Sequence, residues 1–273
     1  MESLHFMKKD RVFDGLTQRF QKKIYGDDPR GKIRLHIVQD DLCQQGLNHQ
    51  AQSILDAGGG LGQMSIWLAA QGHSILLAEP SSEMLVEAHE NIIAAGQAGA
   101  IQLQNVDIQR LVESSPSERF DGIVLHAVLE WLAEPRATLE QVLTLLKPNG
   151  WLSLMFFNQY AREMRYLLSG NFKALHEQRI ASDGNEGLAP ISPLPPETVL
   201  AWLPALNLDL ITWSGVRCFY DYAYVDIRKR MPLEELLALE RNYSQREPWR
   251  SLARYQHFFC RKQANSIPFN DGQ

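Results

Sequence analysis

The chain has 273 residues, 45% of them hydrophobic and 22% charged, with a formal net charge of −5. That length allows a sizeable buried core, and the acidic total argues against binding nucleic acid by bulk charge. No run approaches the ~20 apolar residues needed to span a bilayer.

The opening stretch "MESLHFMKKDRVFDGL" holds no long apolar run, so no signal peptide is expected. Residues 3–50 alternate apolar and basic positions at helical spacing, as in "FDGLTQRFQKKIYG" and "GKIRLHIVQDDL". "SILDA" reads as a short buried strand, followed by glycines and the apolar helix "GQMSIWLAAQG", ended by Gly72. "HSILLAE" is a second strand and "SSEMLVEAHENIIAAG" a helix opening on a Ser cap. "AIQLQNVD" is a third strand, "FDGIVLHAVLEWL" begins as a fourth, and "RATLEQVLTLL" is a helix. "KPNG" reads as a turn before a fifth strand, "WLSLMFFN". Strands alternating with helices predict a parallel sheet with helices on both faces.

The pattern lapses over residues 159–197, where "QYAREMRYLLSGNF" precedes the Gly/Pro-rich "SDGNEGLAPISPLPPE". This predicts an insertion over the C-terminal edge of the sheet, with a mobile loop. A helix "ETVLAWLPAL", a strand near "LDLITWSGVRCF", a helix around "LEELLALERNY" and a strand "YQHFFCRK" follow. A last strand running back as a hairpin partner would complete seven. The expected division is an N-terminal helical segment (1–50), a core (51–158), an insertion (159–197) and a C-terminal completion of the sheet (198–273), all in one domain.

Residues 1–35 and 217–262 each carry net +4, while residues 36–216 carry net −12. Ends that meet in the fold would make a positive rim on a negative body; an unevenly charged solvated surface is the plainer reading. Cys43, Cys218 and Cys260 form no metal or redox motif, so a reducing cytoplasm and small buried apolar roles are expected.

"ILDAGGGLGQ" carries the chemistry. A glycine loop between a first strand and helix binds a ligand at the helix start. Gly58, Gly60 and Gly62 give G-x-G-x-G and not the dinucleotide G-x-G-x-x-G, since position 63 is Gln. Asp56, two residues before the first glycine, would repel a pyrophosphate and could hold an ammonium group. The expected ligand is a nucleoside with a positive amine and no phosphate, and S-adenosyl-L-methionine meets that description. Glu79, ending the second strand, can accept both ribose hydroxyls. Asp107, ending the third, and the next backbone N–H can read an adenine edge.

"ILDAGGGLG", "LLAEPSSEML", "VDIQRL", "FDGIVLHAVLEWLAEP" and "LLKPNGWLSLMF" resemble the successive motifs of class I S-adenosylmethionine-dependent methyltransferases. The resemblance implies an α/β, Rossmann-like fold with a seven-stranded, mostly parallel sheet. Asn149 stands where that family usually has glycine in a turn, and Asn tolerates positive φ better than most residues. Across nearly the whole chain, "DRVFDGLTQRFQKKIYGDDPRGKIRLHIVQDDL", "LHAVLEWLAEP", "LSLMFFN", "SGNF", "GVRCFYDY" and "LERNYSQREPWRSLARY" resemble the bacterial tRNA 5-carboxymethoxyuridine methyltransferases. That implies methyl transfer to the carboxylate of 5-carboxymethoxyuridine at the tRNA wobble position, giving the methyl ester. Carried over by position, Arg34, Gly59, Gly60, Glu79, Ile108, Gln109 and His126 would line the cofactor site. Trp131 is expected in the core.

A carboxylate with a pKa near ~4 is ionised at pH 7, so its methylation needs no general base. A cation should hold one oxygen and leave the other free. Arg217 is the expected cation, with pairing to Asp221 as the competing reading; Tyr220 and Tyr222 would orient the substrate or serve as packing. Arg34, in an N-terminal helix closing over the cofactor, would meet the methionyl carboxylate. No metal is expected. An anticodon stem-loop would draw on Lys8, Lys9, Lys22, Lys23, Arg162, Arg165 and "RKR" at 228–230. Two alternatives stay open: a methyltransferase acting on a free small-molecule carboxylate or hydroxyl, and a non-catalytic binding module.

Overall fold

The structure is a computed structural model that describes residues 9–15, 28–47, 50–114, 119–182 and 189–264. Lys8, Lys22 and Lys23, and all of "FQKKIYG", lie outside the described residues. The first described helix is α1 (Pro29–Gln44). Asp28 caps it by accepting from the Arg30 N–H, and Pro29 stands at the first turn, where its missing N–H leaves no bond unmade.

Alternation then runs as expected. It comprises β1 (Ser53–Ala57), α2 (Gln63–Ala70), β2 (Ser74–Ala78), α3 (Ser82–Ala94), β3 (Ile101–Gln104), α4 (Ile108–Ser114), β4 (Phe120–His126), α5 (Pro135–Val142) and β5 (Leu146–Phe157). The insertion holds α6 (Gln159–Leu168) and α7 (Phe172–His176). After it come α8 (Pro196–Trp202), β6 (Leu208–Val216), α9 (Val225–Arg228), α10 (Leu233–Ser244), α11 (Trp249–Leu252) and β7 (Tyr255–Lys262).

One seven-stranded sheet has the order β3-β2-β1-β4-β5-β7-β6, and β7 runs antiparallel to both neighbours. The order reverses between β1 and β4, and ligands of open α/β sheets bind at such a switch point, outside the strand C-termini. Two apolar cores sandwich the sheet. One joins Leu55, Leu125, Leu139, Leu154, Val199 and Phe258 under α4, α5 and α8. The other joins Ile33, Ile54, Leu68, Leu77, Val124 and Phe259 under α1, α2 and α3. Burial on both faces explains why these strands read as unbroken apolar runs.

"KPNG" proves to be a bulge within the β5 range. Phe120 pairs with Leu146 and Gly122 with Trp151, so residues 147–150 loop out between. Asn149 takes φ 61°, the left-handed conformation expected of it. Gly122 leaves room for the fully buried Trp151, since a Cβ there would meet the indole at 2.1 Å. The Gly/Pro-rich stretch also differs from expectation where it is described. Ile191, Ser192 and Leu194 are buried, and the Ile191 and Ser192 N–H groups both donate to the Glu130 carbonyl. The stretch is fastened to the end of β4. Cys218 and Cys260 are buried, but Cys43 is exposed, a correction to the buried role expected for it. Among the described residues no helix is long and apolar enough to cross a membrane.

Candidate active site

A cavity of about 510 Å³ opens at the C-terminal ends of β1, β2 and β4. Its glycine-loop side is formed by Gly58 and Gly60, with Glu79 at the end of β2. Asp107, Ile108 and Gln109 line it from the start of α4, and His126 from the end of β4. Arg34 of α1 closes a further side. Eight of the eleven residues expected at the cofactor, Arg34 among them, thus line one cavity.

Asp56, Gly59 and Gly62 are not part of that wall. Asp56 is 3% exposed and accepts the Ser65 hydroxyl at 2.6 Å, so it braces the loop against α2 and is not placed to grip an ammonium group. A Cβ on Gly59 would lie 2.6 Å from the Leu77 side chain, so this glycine lets the loop press onto β2. Gly62 begins α2 in the left-handed conformation, with φ 82°.

The Glu79 carboxylate accepts from the Gly60 N–H and the Ser81 N–H, each at 3.0 Å. Burial pushes its pKa up to about 7, against the pull of those two donors. Asp56 rises to about 6, again by burial, against the Ser65 hydrogen bonds. Asp107 caps α4 by accepting the Arg110 N–H at 2.8 Å, which commits one carboxylate oxygen.

A strap formed by residues 10–15 crosses the mouth. Asp10 accepts from the Ala133 N–H at 2.7 Å and from Gln109 Nε2 at 2.8 Å, bridging the two sides. The Arg11 N–H donates to the Trp131 carbonyl, and the Ser81 hydroxyl donates to Asp14. Phe13 packs edge-on to Trp131, with centroids 4.8 Å apart. Trp131, expected in the core, therefore lines the pocket.

Three groups at this end were missed or unassigned. Arg11 lines the pocket beside the Phe13 and Trp131 rings, and its Nη1 is buried with no hydrogen-bond partner. Glu130 is 1% exposed, and burial raises its pKa to about 8 against two backbone donors and the Arg34 charge. Its Oε2 is likewise buried without a partner. Tyr255, at the start of β7, completes the wall. The only local signal was the run "EWL" following a strand end.

His126 is held well below the ordinary imidazole range by burial, then by His257 and Arg34, and is neutral at pH 7. Its Nε2 lies 2.7 Å from the Ser153 hydroxyl, which lies 2.8 Å from His257 Nε2. The Asp41 carboxylate lies 2.7 Å from His257 Nδ1. The Ser153 hydroxyl thus links the two rings, and through His257 the chain reaches Asp41.

Arg217 and Tyr220 are not in the wall. Arg217 Nη2 is 2.5 Å from Asp221, the pairing weighed against a substrate role. Tyr220 is 6% exposed and belongs to the apolar core. The Tyr222 hydroxyl donates to the Leu252 carbonyl. Arg162 donates to the Pro190 carbonyl and the Tyr166 hydroxyl, a structural duty within the insertion. Among the described residues no group of three His, Cys, Asp or Glu could hold a metal ion.

The methyltransferase-domain family matches residues 9–211. The tRNA 5-carboxymethoxyuridine methyltransferase of Escherichia coli (strain K12) is 35% identical over 256 residues, 93% of this chain and 97% of that protein. The magnesium protoporphyrin IX methyltransferase of Synechocystis, solved with bound SAH, aligns with a TM-score of 0.62 at 14% identity, covering 92% of this chain and 95% of that one. The cyclase SpnF aligns with a TM-score of 0.57 at 16% identity over 94% of this chain and 99% of its own. A fold shared by a methyltransferase and a cyclase does not decide the chemistry, whereas 35% identity across 93% of this chain separates it from the wider fold. The chain belongs to the methyltransferase-domain family and, within it, to the tRNA 5-carboxymethoxyuridine methyltransferases.

Proposed function

We propose that the chain transfers a methyl group from S-adenosyl-L-methionine to the carboxylate of 5-carboxymethoxyuridine at the wobble position, 34, of tRNA, giving the methyl ester. The observation that carries the reading is the 35% identity to the Escherichia coli enzyme across 93% of this chain.

The residues present fit the cofactor. Gly58 and Gly60 leave the loop backbone open to a ligand, and Glu79 is an acceptor where ribose hydroxyls need one. Arg11 and Glu130 add a guanidinium and a carboxyl to the lining of the same cavity. When bound, the cofactor supplies a methyl group on a positive sulfur, open to in-line attack. Arg34 would meet its carboxylate, Glu79 its ribose, and Ile108 and Gln109 its base.

The chain's task toward the substrate is positioning. A neutral Glu130 does not repel a carboxylate and can donate a hydrogen bond to it. Arg11 supplies a cation in the pocket wall, so we place on Arg11 the carboxylate-holding role expected of Arg217, whose guanidinium Asp221 already occupies. His126 lines the wall with its imidazole held well below the ordinary range by burial, so it adds no charge beside the substrate. The reaction is expected in the cytoplasm, where tRNA is modified.

The test is nucleoside mass spectrometry on tRNA from cells lacking the gene. The methyl ester should disappear and the free acid accumulate. Unchanged wobble nucleosides would sink the assignment.

Cofactor affinity should also depend on pH. Glu79 accepts ribose hydroxyls when ionised, and its folded pKa is raised to about 7. Affinity is therefore full above that value and falls as pH drops through it, by up to roughly tenfold per unit for one linked proton. Calorimetry from pH 5.5 to 8.5 reads this directly. A flat profile would show that Glu79 does not contact the cofactor in its ionised form.

A further inference from the structure

We propose that a small cleft next to the methyl-transfer pocket, built on Arg254 and Arg165, binds one phosphodiester of the RNA substrate. The inference rests on the tRNA reading above.

The cleft, of about 150 Å³, is lined by Arg165, Leu168 and Ser169 of the insertion and by Asp221, Tyr222 and Arg254. Its charge is unbalanced. Asp221 faces two largely buried guanidinium groups, Arg217 and Arg254, and has one Nη2 contact, at 2.5 Å to Arg217. Arg254 Nε is buried with no hydrogen-bond partner. Burial depresses Arg254; Asp221 and Tyr255 pull it back, and the charges of Arg217 and Arg165 add to the depression. An excess positive charge under cover of the protein is unfavourable until an anion arrives. Tyr222 is fixed by its hydrogen bond to Leu252, so the wall is preformed.

Two observations select the anion. The volume equals about five water-sized groups, which admits a phosphate and excludes a nucleoside. Arg254 also immediately precedes Tyr255, which lines the large pocket, and the Arg217 guanidinium lies 5.7 Å from the Tyr255 ring centroid. The cleft is thus one residue away from where the modified base must sit. The substrate carboxylate is consumed in the pocket, and the next anion that RNA offers at that distance is its own backbone. Guanidinium groups suit that contact.

The test uses an anticodon stem-loop carrying 5-carboxymethoxyuridine. Arg165→Ala should weaken its binding about five- to tenfold at low salt and flatten the slope of log K against log salt by about 0.7 to 0.9, one phosphate contact. Arg254→Lys, which keeps the charge and loses the fork, should weaken it less. Cofactor affinity measured alongside reports an intact fold. Stem-loops with a single uncharged methylphosphonate near position 34 then locate the contact. At one position the neutral linkage should weaken wild-type binding as Arg165→Ala does, with no further loss when both are combined. Additive losses at every position would overturn the subsite. If the wild type binds no stem-loop, the tRNA reading itself fails, and inorganic phosphate at fixed ionic strength decides the cleft. A thermal shift by phosphate that shrinks in Arg165→Ala supports an anion site for free phosphate, and an equal shift in both proteins overturns it.

Discussion

Glu79→Ala is expected to lower the affinity for S-adenosylmethionine by on the order of 100-fold or more. The side chain is 4% exposed and stands at the end of β2, directly across the glycine loop. Its two oxygens already hold the Gly60 and Ser81 N–H groups at 3.0 Å, so it fixes the loop and presents its remaining lone pairs to the cavity. Hydrogen bonds to a charged group contribute about 1.5–3 kcal/mol each. Losing two ribose contacts therefore costs about 3–6 kcal/mol before any relaxation, which is a factor of 100 or more in affinity. The alanine variant also strands two buried donors, so part of its defect is structural. Glu79→Gln separates the effects, because the amide oxygen can keep one backbone bond while the charge and one acceptor are lost. Calorimetry should show most of the affinity lost in Glu79→Gln with circular dichroism and melting temperature little changed. An affinity within threefold of wild type in the glutamine variant would remove Glu79 from the ribose site.

The core of the fold was legible because a parallel sheet covered on both faces writes each strand as an apolar run, and each helix between carries its own cap or breaker. β1, β2 and β4 fell where "SILDA", "HSILLAE" and "FDGIVLH" placed them. Site residues borne by those strand ends were legible too, since topology alone brings Gly60, Glu79 and His126 to one edge. Orientation was the first thing lost. Asp56 stands in the expected motif, yet its side chain turns to Ser65 behind the loop, which spacing cannot report. Distance was the second. Asp10 meets Ala133 across 123 positions and makes a strap of a stretch that reads as part of an amphipathic helix. Arg11 and Trp131 became pocket residues only through that closure. Arg217 shows the reverse case, because its partner Asp221 stood four residues away in plain view.

Asp41→Ala should destabilise the protein by about 3–5 kcal/mol, the usual consequence of breaking a buried ionic hydrogen-bond set by removing one partner. Asp41 lies on α1 with no solvent exposure and accepts from His257 Nδ1 at 2.7 Å, Arg241 Nη1 at 2.6 Å and the Ser214 hydroxyl at 3.0 Å. It thereby ties α1 to β6, β7 and α10. The Arg241 side chain is 18% exposed and also touches Asp40, so water and that neighbour soften its share. His257 has no such relief, being fully buried. Burial pushes the Asp41 carboxyl up, but the His257 hydrogen bond and charge, then Arg241, bring it below the ordinary carboxylate range. A depressed carboxyl contributes stability that is fully present above its unfolded value of about 3.9 and is lost as pH falls through the folded value. Urea unfolding at pH 7 should thus separate wild type from Asp41→Ala by the full amount, and the gap should close in acid below pH 4. A difference under about 1 kcal/mol at pH 7 would mean that the set is not coupled as its geometry indicates. The variant reaches the pocket as well. Without Asp41, the His257 ring loses the carboxylate at its Nδ1, and the Ser153 hydroxyl held at its Nε2 is freed to turn. His126 then loses the hydroxyl partner that orients it. In Asp41→Asn, which keeps the volume, turnover should therefore fall by more than the cofactor affinity does, with the fold retained. Equal losses in both would place the whole effect in stability.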